Sequence, residues 1–373
     1  MNVLASTLSL LGVSLVTTLA SAQTLTSVEA AEYEPNSDRW LVSNGSSILV
    51  TDDLGDTWTV FGSGGATHGM EVLGSTLYTI QNNVIRAYDV VTGDLLGSLA
   101  PTGVGFLNGM GSESGANGDV LVVSDFSSGR LLKVDVSDPA TMTSSTLVAN
   151  TGTTPNGVTV LDGVATVVNW GGNSDILQVD LETGDVTPLI ENTGLGNCDG
   201  VDWANGSLVV SSWSPQRITR FEPDALNPGS WIATTLLEGS PLSNPADLSV
   251  NTAGDMYAVA CSGNNTVHFG PLLDITNVRN PAVETGSSPS ATLGANGLLL
   301  NQFEPGEWHV RGFDELGRLL GQTTAFRPSG ASQWTWDELG AWGSEALLVE
   351  VTWSPVAGTL PAWRGTLKHR HGQ

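Results

Sequence analysis

Short apolar runs separated by turn signals fill the chain between residues 24 and 270. The pattern is clearest in residues 157–190, which read GVTVL, a DG turn, VATVVNW, a GGNS loop, ILQVDL, a TGD turn and VTPLI. Runs of this length joined by such turns are typical of antiparallel strands. This segment therefore predicts a four-stranded meander.

The four-strand pattern recurs along the chain. Residues 70–99 repeat it as MEVL, TLYTI, VIRAYDV, a TGD turn and LLGSL, and each copy begins after a polar marker residue. The six markers, 39 to 48 residues apart, are Glu29, His68, Asn108, Asn156, Asp199 and Asp247. Repeats of this length with four strands each predict a β-propeller, so the sequence predicts an all-β fold with six blades in residues 23–273.

The last repeat shows only three clear strands, ADLSV, DMYAVA and TVHFG. Residues 24–28 (TLTSV) could supply the missing outer strand. We therefore expect the two ends of the propeller to share one blade and leave no open sheet edge.

The repeat stops after residue 273. Residues 274–297 are predicted to be a Ser/Gly-rich linker, and residues 298–373 a small β-sandwich of six or seven strands. Six of the 12 tryptophans fall in this last segment, where large aromatic side chains help a small domain to build a core.

The charge of the chain limits the classes of function that it can have. Lys and Arg total 13 against 38 Asp and Glu, a formal net charge of −25. Nucleic-acid binding needs a basic surface, so this class is excluded, and docking on anionic lipid is disfavoured. The composition suits a protein secreted into saline water or one that meets divalent cations.

Residues 1–22 carry an apolar run that ends in Ala20-Ser21-Ala22, before Gln23. This predicts a secretory signal peptide, although the segment has no Lys or Arg, and the alternative is an N-terminal membrane anchor. No later stretch is long enough to span a membrane, so we expect a soluble mature protein. Export permits a disulfide, and Cys198 and Cys261 could form one between blades five and six.

The markers should meet at one end of the central channel, because each lies just before the innermost strand of its blade. Carboxylates and amide oxygens without a thiolate suit Ca²⁺ best, with Mg²⁺ or Mn²⁺ as alternatives. Asn-Gly and Asp-Gly pairs are also common turn formers, so plain turns are the competing interpretation.

Three motifs resemble the SMP-30/gluconolactonase/luciferin-regenerating family of six-bladed propellers, a group related to NHL-type propellers. They are SVEAAEYEPNSDRWLVSNG (27–45), TPNG (154–157) and CDGVD (198–202). The resemblance implies Glu29, Asn156 and Asp199 as metal ligands, Asp199 as the catalytic group and Asn108 on the substrate side. Glu32 rivals Glu29, Cys198 replaces the family's usual proline, and His68 matches no family residue.

The loops after each second strand should lie on the same face as the markers. They bring Asp125, Trp170 and Trp213 toward the predicted site, with His68, Asn108 and Asp247 at the channel. Aromatic rings beside amides suit a sugar or another flat ligand. The alternative is that the tryptophans pack between blades.

Residues 51–58 (TDDLGDTW) match the Asp-box turn, which is found in sialidases. Only one copy is present, and no arginine cluster lies near the markers to grip a sugar carboxylate. We therefore predict that this turn has a structural role and holds the two outer strands of blade one together.

The C-terminal segment resembles the type A sorting domain of the type IX secretion system. The matching features are Asn280-Pro281, VRGFDELGRLL (310–320), Gly343 before LLVEV and the basic end at Lys368. The resemblance implies export by a Gram-negative bacterium of the Bacteroidota type, with the type IX machinery as partner. A generic adhesion or carbohydrate-binding domain is the alternative.

Two functions remain open. The first is a secreted or cell-surface propeller with a central divalent-metal site, binding a glycan, peptide or protein on its loop face. The second is a metal-dependent lactone or ester hydrolase, in which the metal would polarise a carbonyl. The sequence leaves open whether the protein is an enzyme.

Overall fold

The computed structural model describes residues 23–115, 118–224 and 226–272, together with strands between residues 290 and 368. Six antiparallel sheets in residues 31–271 confirm the six-bladed β-propeller. The predicted signal peptide and residues 273–289 of the chain lie outside the described residues.

The first three blades each have four strands, with the innermost strand first in the chain. Blade one is β1 (Ala31–Glu34), β2 (Arg39–Asn44), β3 (Ser47–Thr51) and β4 (Thr59–Val60). Blade two is β5 (Met70–Leu73), β6 (Thr76–Gln81), β7 (Val84–Asp89) and β8 (Leu95–Leu99). Blade three is β9 (Leu107–Gly115), β10 (Gly118–Asp125), β11 (Arg130–Asp135) and β12 (Thr143–Val148), with a short 3-10 helix at Pro139–Thr141.

Blades four and five repeat this order. Blade four is β13 (Thr154–Leu161), β14 (Val164–Trp170), β15 (Ile176–Asp180) and β16 (Val186–Ile190). Blade five is β17 (Gly196–Ala204), β18 (Ser207–Ser214), β19 (Gln216–Pro223) and β20 (Trp231–Glu238). Blade six has three strands in the described residues, β21 (Pro245–Val250), β22 (Met256–Cys261) and β23 (Thr266–Pro271).

The prediction that residues 24–28 supply the missing outer strand of blade six is wrong. Residues 23–28 do not join blade six but run along the junction between blades six and one. The backbone N–H groups of Thr26 and Ser27 donate to Asn44 Oδ1 at 2.7 and 3.0 Å. The N–H of Val28 donates to Asn265 Oδ1 at 3.4 Å. Because asparagine side chains accept these hydrogen bonds, the backbone N–H groups of Thr26, Ser27 and Val28 do not pair with β23.

The junction of blades one and six is closed by packing instead. Trp40 and Trp58 of blade one lie 5.7 and 6.5 Å from Phe269 of blade six, measured between ring centroids. One backbone hydrogen bond, from Asp247 N to Glu29 O at 2.9 Å, links the innermost strands. The Asp-box prediction agrees with this arrangement: Asp53 accepts from Thr51 and Thr57 inside the turn, and Trp58 is buried in the junction.

Cys198 and Cys261 are both buried and both free, so the disulfide is not formed. Cys198 packs with Val168 and Leu208 at blades four and five, whereas Cys261 packs with Val259 and Leu242 at blades five and six. The two thiols therefore belong to different inter-blade cores.

The strands described after residue 289 form two antiparallel sheets. One contains β24 (Ser290–Gly294), β25 (Gly297–Gln302) and β28 (Gly330–Thr335). The other contains β26 (Gly306–Phe313), β27 (Leu319–Arg327), β29 (Leu348–Pro355) and β30 (Trp363–Lys368). The strand β24 lies inside the segment predicted as linker, where it pairs in register with β25. No helix among the described residues has the length and apolarity to cross a membrane.

Candidate binding site at the channel mouth

The six marker residues share one end of the propeller channel, which we call the mouth. Glu29 and His68 lie just before the innermost strand of their blade, and the other four markers lie within the first four residues of that strand. Asn108, Asn156 and Asp199 are buried, whereas Glu29, His68 and Asp247 are half-buried. The predicted convergence of polar side chains from all six blades is therefore a property of the fold.

The glycines after the markers are not turn residues. Gly109, Gly157 and Gly200 lie within strands and have no positive φ. A Cβ on Gly157 would lie 2.2 Å from the carbonyl oxygen of Asp199, and one on Gly109 would lie 2.4 Å from that of Asn156. Glycine is required because neighbouring innermost strands approach closely around the channel. The interpretation of these pairs as hairpin turns is wrong.

A serine on the second strand fixes the marker backbone in three blades. In blade three, Ser124 Oγ accepts from Gly109 N at 2.9 Å and donates to Asn156 O of the next blade at 2.6 Å. Ser211 makes the equivalent pair of bonds in blade five, and Ser43 accepts from Glu29 N and Ala30 N in blade one. Sequence reasoning missed these serines, although SN, SD and SS at the ends of β2, β10 and β18 were a signal.

Three carboxyl groups at the mouth hold their protons unusually tightly. Burial raises the pKa of Glu29 to about 7. Burial, together with the nearby charges of Glu29 and Asp247, raises the pKa of Asp199 well above its usual range. Burial and the charge of Glu29 do the same for Asp247. These groups repel one another in a poorly solvated site, so a positive charge placed among them would be favoured.

Amide groups and an imidazole complete the mouth. Asn156 Nδ2 donates to the carbonyl oxygen of Cys198 at 3.4 Å, which leaves its own carbonyl oxygen as an acceptor. The ring of His68 lies edge-on to Phe106, and its Nδ1 is 2.9 Å from Thr67 Oγ1. Burial lowers the pKa of His68 to about 4, so this side chain is neutral at pH 7.

A second tier of carboxyl groups lies deeper in the channel, three residues after markers. Glu32 accepts from Val72 N at 2.9 Å, Glu71 from Ser112 Oγ at 2.7 Å and Asp202 from Val250 N at 2.7 Å. Glu32, the rival of Glu29 as a predicted metal ligand, thus accepts a hydrogen bond in this deeper tier, whereas Glu29 lies at the mouth. Burial raises the pKa of Glu71 to about 8 and that of Asp202 to about 6.

The donor set of the mouth suits a hard cation. No three His, Cys, Asp or Glu side chains in the described part of the chain lie close enough to form a metal site by themselves. A site here would need the amide oxygen of Asn156 beside the carboxylates of Glu29 and Asp199. Oxygen donors of this kind are those that Ca²⁺ binds.

Five half-buried rings form an aromatic arc along the mouth, made of His68, Phe106, Phe126, Trp170 and Trp213. Successive ring centroids are 4.7, 5.7, 5.9 and 4.9 Å apart, and every pair meets edge to face. Trp170 of blade four and Trp213 of blade five contact each other across the junction of their blades, as the packing interpretation expected, and their role as a ligand surface stays a prediction. The phenylalanines were not predicted as site residues.

The arc ends beside a marker carboxyl group. The indole N–H of Trp213 is buried and makes no hydrogen bond of ordinary geometry, but its proximity partly lowers the pKa of Asp199 against the effect of burial. Residues 23–28 occupy the remaining side of the mouth, at blades six and one. The mouth is therefore bordered by aromatic rings on one side and backbone on the other.

Asp125 does not belong to this site. Its carboxylate is fully buried, accepts from the N–H groups of Gly105 and Phe106, and forms an ion pair with Arg130 at 2.9 Å. Both oxygens are used within blade three, so the predicted ligand-binding role is wrong. Asp125 instead holds the loop that positions Phe106.

Solved structures resemble this chain at the level of fold. A structure described as a nidogen/laminin complex matches with a TM-score of 0.52 and 16% identity, over 63% of this chain and 89% of that one. Regucalcin from Agrobacterium tumefaciens, described as a calcium-binding protein, matches with a TM-score of 0.47 and 15% identity, over 65% and 85% of the two chains. The β-propeller domain of Cps50 (Swd1) from Myceliophteria thermophila matches with a TM-score of 0.47 and 10% identity, over 68% and 85%.

No protein-family model matches the sequence, and no curated protein matches it. At 16% identity the likeness to the nidogen/laminin structure shows the fold alone. The function has to be argued from the mouth itself.

Proposed function

We propose that this protein is an extracellular propeller that binds a divalent cation, Ca²⁺ before Mg²⁺ or Mn²⁺, at the channel mouth. Its ligand would bind on the same face. The observation that carries the proposal is the set of mutually repelling carboxyl groups of Glu29, Asp199 and Asp247 beside the amide of Asn156. A bound cation would offset the burial and the mutual repulsion that together favour their protonation.

Glu29, Asn156 and Asp199 would hold the ion, with Asp247 as a nearby charge. The resemblance of residues 27–45, TPNG and CDGVD to the SMP-30 family supports the same three ligands. The half-buried rings of Trp170 and Trp213 would give the ligand an apolar surface beside the ion. Trp and Tyr rings often play this part in binding sites because they are large and rigid.

A lactone or ester hydrolase is the second candidate. The buried carboxyl group of Asp199, with its raised pKa, favours it, because perturbed acids in clefts are often functional groups. A bound metal supplies polarisation of a carbonyl oxygen. Asp199, once ionised, would serve as metal ligand and as the base for an attacking water.

The proposed location rests on two sequence motifs. We infer export through the signal peptide of residues 1–22 and the type IX machinery, which would act on the sorting domain in residues 298–373. The sequence motifs support this inference. Outside the cytoplasm Ca²⁺ is abundant, which agrees with a site of oxygen donors.

Thermal unfolding of the purified protein tests the metal site. Melting temperature would be measured in EDTA and in excess Ca²⁺, Mg²⁺ or Mn²⁺, for wild type, Asp199→Asn and Asn156→Ala. An ion at about 100 times its Kd adds about 2.7 kcal/mol to the folded state. For a domain of this size each kcal/mol raises the melting temperature by about 2–4 °C.

We expect the bound ion to raise the melting temperature of the wild type. It should not raise that of Asp199→Asn or of Asn156→Ala. Glu71→Gln is the matched control, because it changes a channel carboxyl group in the deeper tier and should keep the rise. Absence of a shift with all three ions would exclude the metal site. If the shift is present, hydrolysis of a lactone series that depends on Asp199 would favour the enzyme.

A further inference from the structure

The ring of blades closes where blade six meets blade one. At the other five junctions the chain runs directly from one blade into the next, but blades six and one are not consecutive in the sequence. Packing of Trp40 and Trp58 on Phe269 and the hydrogen bond from Asp247 N to Glu29 O hold this junction. Without a continuous chain across it, we expect local opening of the ring to cost least here.

Asp255 lies beside this junction on the face opposite the mouth, which we call the far face. Its side chain is 6% exposed, and Asn251 Nδ2 donates to its Oδ1 at 2.8 Å. Asn251 Oδ1 in turn accepts from the N–H groups of Asp255 and Met256 at 3.0 and 3.1 Å, which fixes the turn before β22. Leu272 N donates to the carbonyl oxygen of Asp255 at 2.7 Å, just after the end of β23. A buried carboxylate held in this way needs a positive partner at its second oxygen.

Arg311 of β26 supplies that positive charge. Its guanidinium donates to Asp255 Oδ2, and the two groups form an ion pair. Along β26, Trp308 is fully buried in one face of the sheet, whereas Glu307, His309 and Arg311 alternate onto the other face. Glu307 and His309 are exposed there, but Arg311 is half-buried because Asp255 of the propeller lies against it.

A cleft of about 880 Å³ lies between the C-terminal strands and both blades of the junction. Tyr33 and Leu54 line it from blade one and Met256 from blade six, while Leu319 and Leu320 line it from β27. Apolar side chains thus face the cleft from the propeller and from the C-terminal strands, and covering them removes apolar surface from water. The C-terminal strands therefore span the junction on the far face.

The distribution of charge favours the chain's own C-terminal region over a second copy of the propeller as the occupant of this surface. Residues 23–272 contain 28 of the 38 Asp and Glu residues but only six of the 13 Lys and Arg residues. A second propeller docked on the far face would bring two strongly acidic surfaces together, which costs free energy. The region after residue 272, with 10 acidic and seven basic residues, is close to neutral and meets much less repulsion.

We propose that the C-terminal region clamps the ring at the junction of blades six and one, with Arg311 and Asp255 as the central contact. On the far face it does what a shared blade was expected to do, because it holds the first and last blades together. This inference does not depend on the metal site at the mouth. Removal of the C-terminal region on export would release the clamp and open the cleft to solvent.

Hydrogen exchange of the full-length protein in EDTA tests the clamp. The amide of Asp247 donates across the clamped junction, and the amide of Gly69 donates to Asn108 O across the junction of blades two and three, both at 2.9 Å. In Arg311→Gln we expect the Asp247 amide to exchange about fivefold faster or more than in the wild type, because the junction opens more often. The Gly69 amide should exchange at the wild-type rate.

Two further variants complete the test. Asp255→Asn should speed exchange in residues 307–313 of β26, because a contact that stabilises one region must stabilise the other. Arg217→Gln is the matched control. It breaks the ion pair with Glu238 in blade five, away from the junction of blades six and one, and should leave exchange at Asp247 and in β26 unchanged.

Equal exchange of the Asp247 amide in the wild type and in Arg311→Gln would overturn the proposal. Equal acceleration of the Asp247 and Gly69 amides would also overturn it, because the variant would then destabilise the whole propeller rather than one junction. Unchanged exchange in residues 307–313 of Asp255→Asn would show that the two regions do not hold each other, and the clamp would be excluded.

Discussion

Single carboxyl groups in the channel hold protons that they would release in water. Glu71 is half-buried, and desolvation in the channel raises its pKa to about 8 against 4.5 in the unfolded chain. Between these values the folded protein keeps a proton that the unfolded chain has lost, so raising the pH favours unfolding. Glu29 and Asp202 act in the same direction, up to about pH 7 and about pH 6.

This predicts a melting temperature in EDTA that falls by several degrees between about pH 5 and about pH 8.5. Glu71→Gln should flatten the fall, because it removes the group with the highest of these three values. Glu182→Gln, which changes an exposed carboxyl group, is the control and should leave the slope unchanged. A melting temperature that rises across this range would contradict the channel electrostatics. Asp53, whose pKa is lowered, acts only below about pH 4, whereas burial lowers the pKa of His68 and of His268 to about 4, so these two groups oppose the fall between about pH 4 and about pH 6.5.

The residue types at the mouth could be predicted from the sequence. The groups with which they form hydrogen bonds could not. The repeat located Glu29, Asn156 and Asp199 because each begins a blade. Asp125 was misjudged because sequence spacing gives the face of the propeller but not the hydrogen bonds that Gly105 and Phe106 donate to it. The deeper tier was missed because it rests on side chains that meet across blades, such as Glu71 and Ser112.

At the scale of strands, close approach around the channel explains the repeat itself. Gly157 leaves no room for a Cβ between the innermost strands of blades four and five. The sequence predicted these strands to within one residue in blade two and, apart from the start of β13 at Thr154, in blade four, because turn residues mark the ends of most runs. It mispredicted the closing strand because a five-residue segment such as TLTSV has the same sequence pattern whether it joins a sheet or lies across one.

Gly157→Ala should therefore destabilise the propeller. The added methyl group would meet the carbonyl oxygen of Asp199 at 2.2 Å, and overpacking of this kind costs about 1–3 kcal/mol. Gly172→Ala is the matched control, since nothing lies within 4 Å of a Cβ there. Urea unfolding of both variants measures the difference. Equal stabilities would mean that the strands separate more easily than their packing implies.

At the scale of the whole molecule, the sequence resemblance to a sorting domain predicts processing at both ends. Mass spectrometry of the exported protein should find a chain that begins at Gln23 and lacks the segment after about residue 297. Removal of residues 298–373 should retain the propeller inside the cell. Export of the truncated chain in normal amounts would show that this segment is not the sorting signal.

The two ends of the propeller segment of the chain lie on opposite faces of the ring. Residues 23–28 enter beside the mouth, and β23 ends at Pro271, which pairs with Met256 at the opposite face. On that far face Arg311 of the C-terminal strands contacts Asp255. The contact with Arg311 thus lies on the face of the propeller opposite the mouth. A cell envelope that held the protein by its C-terminal region would display the mouth outward, toward solutes in the medium.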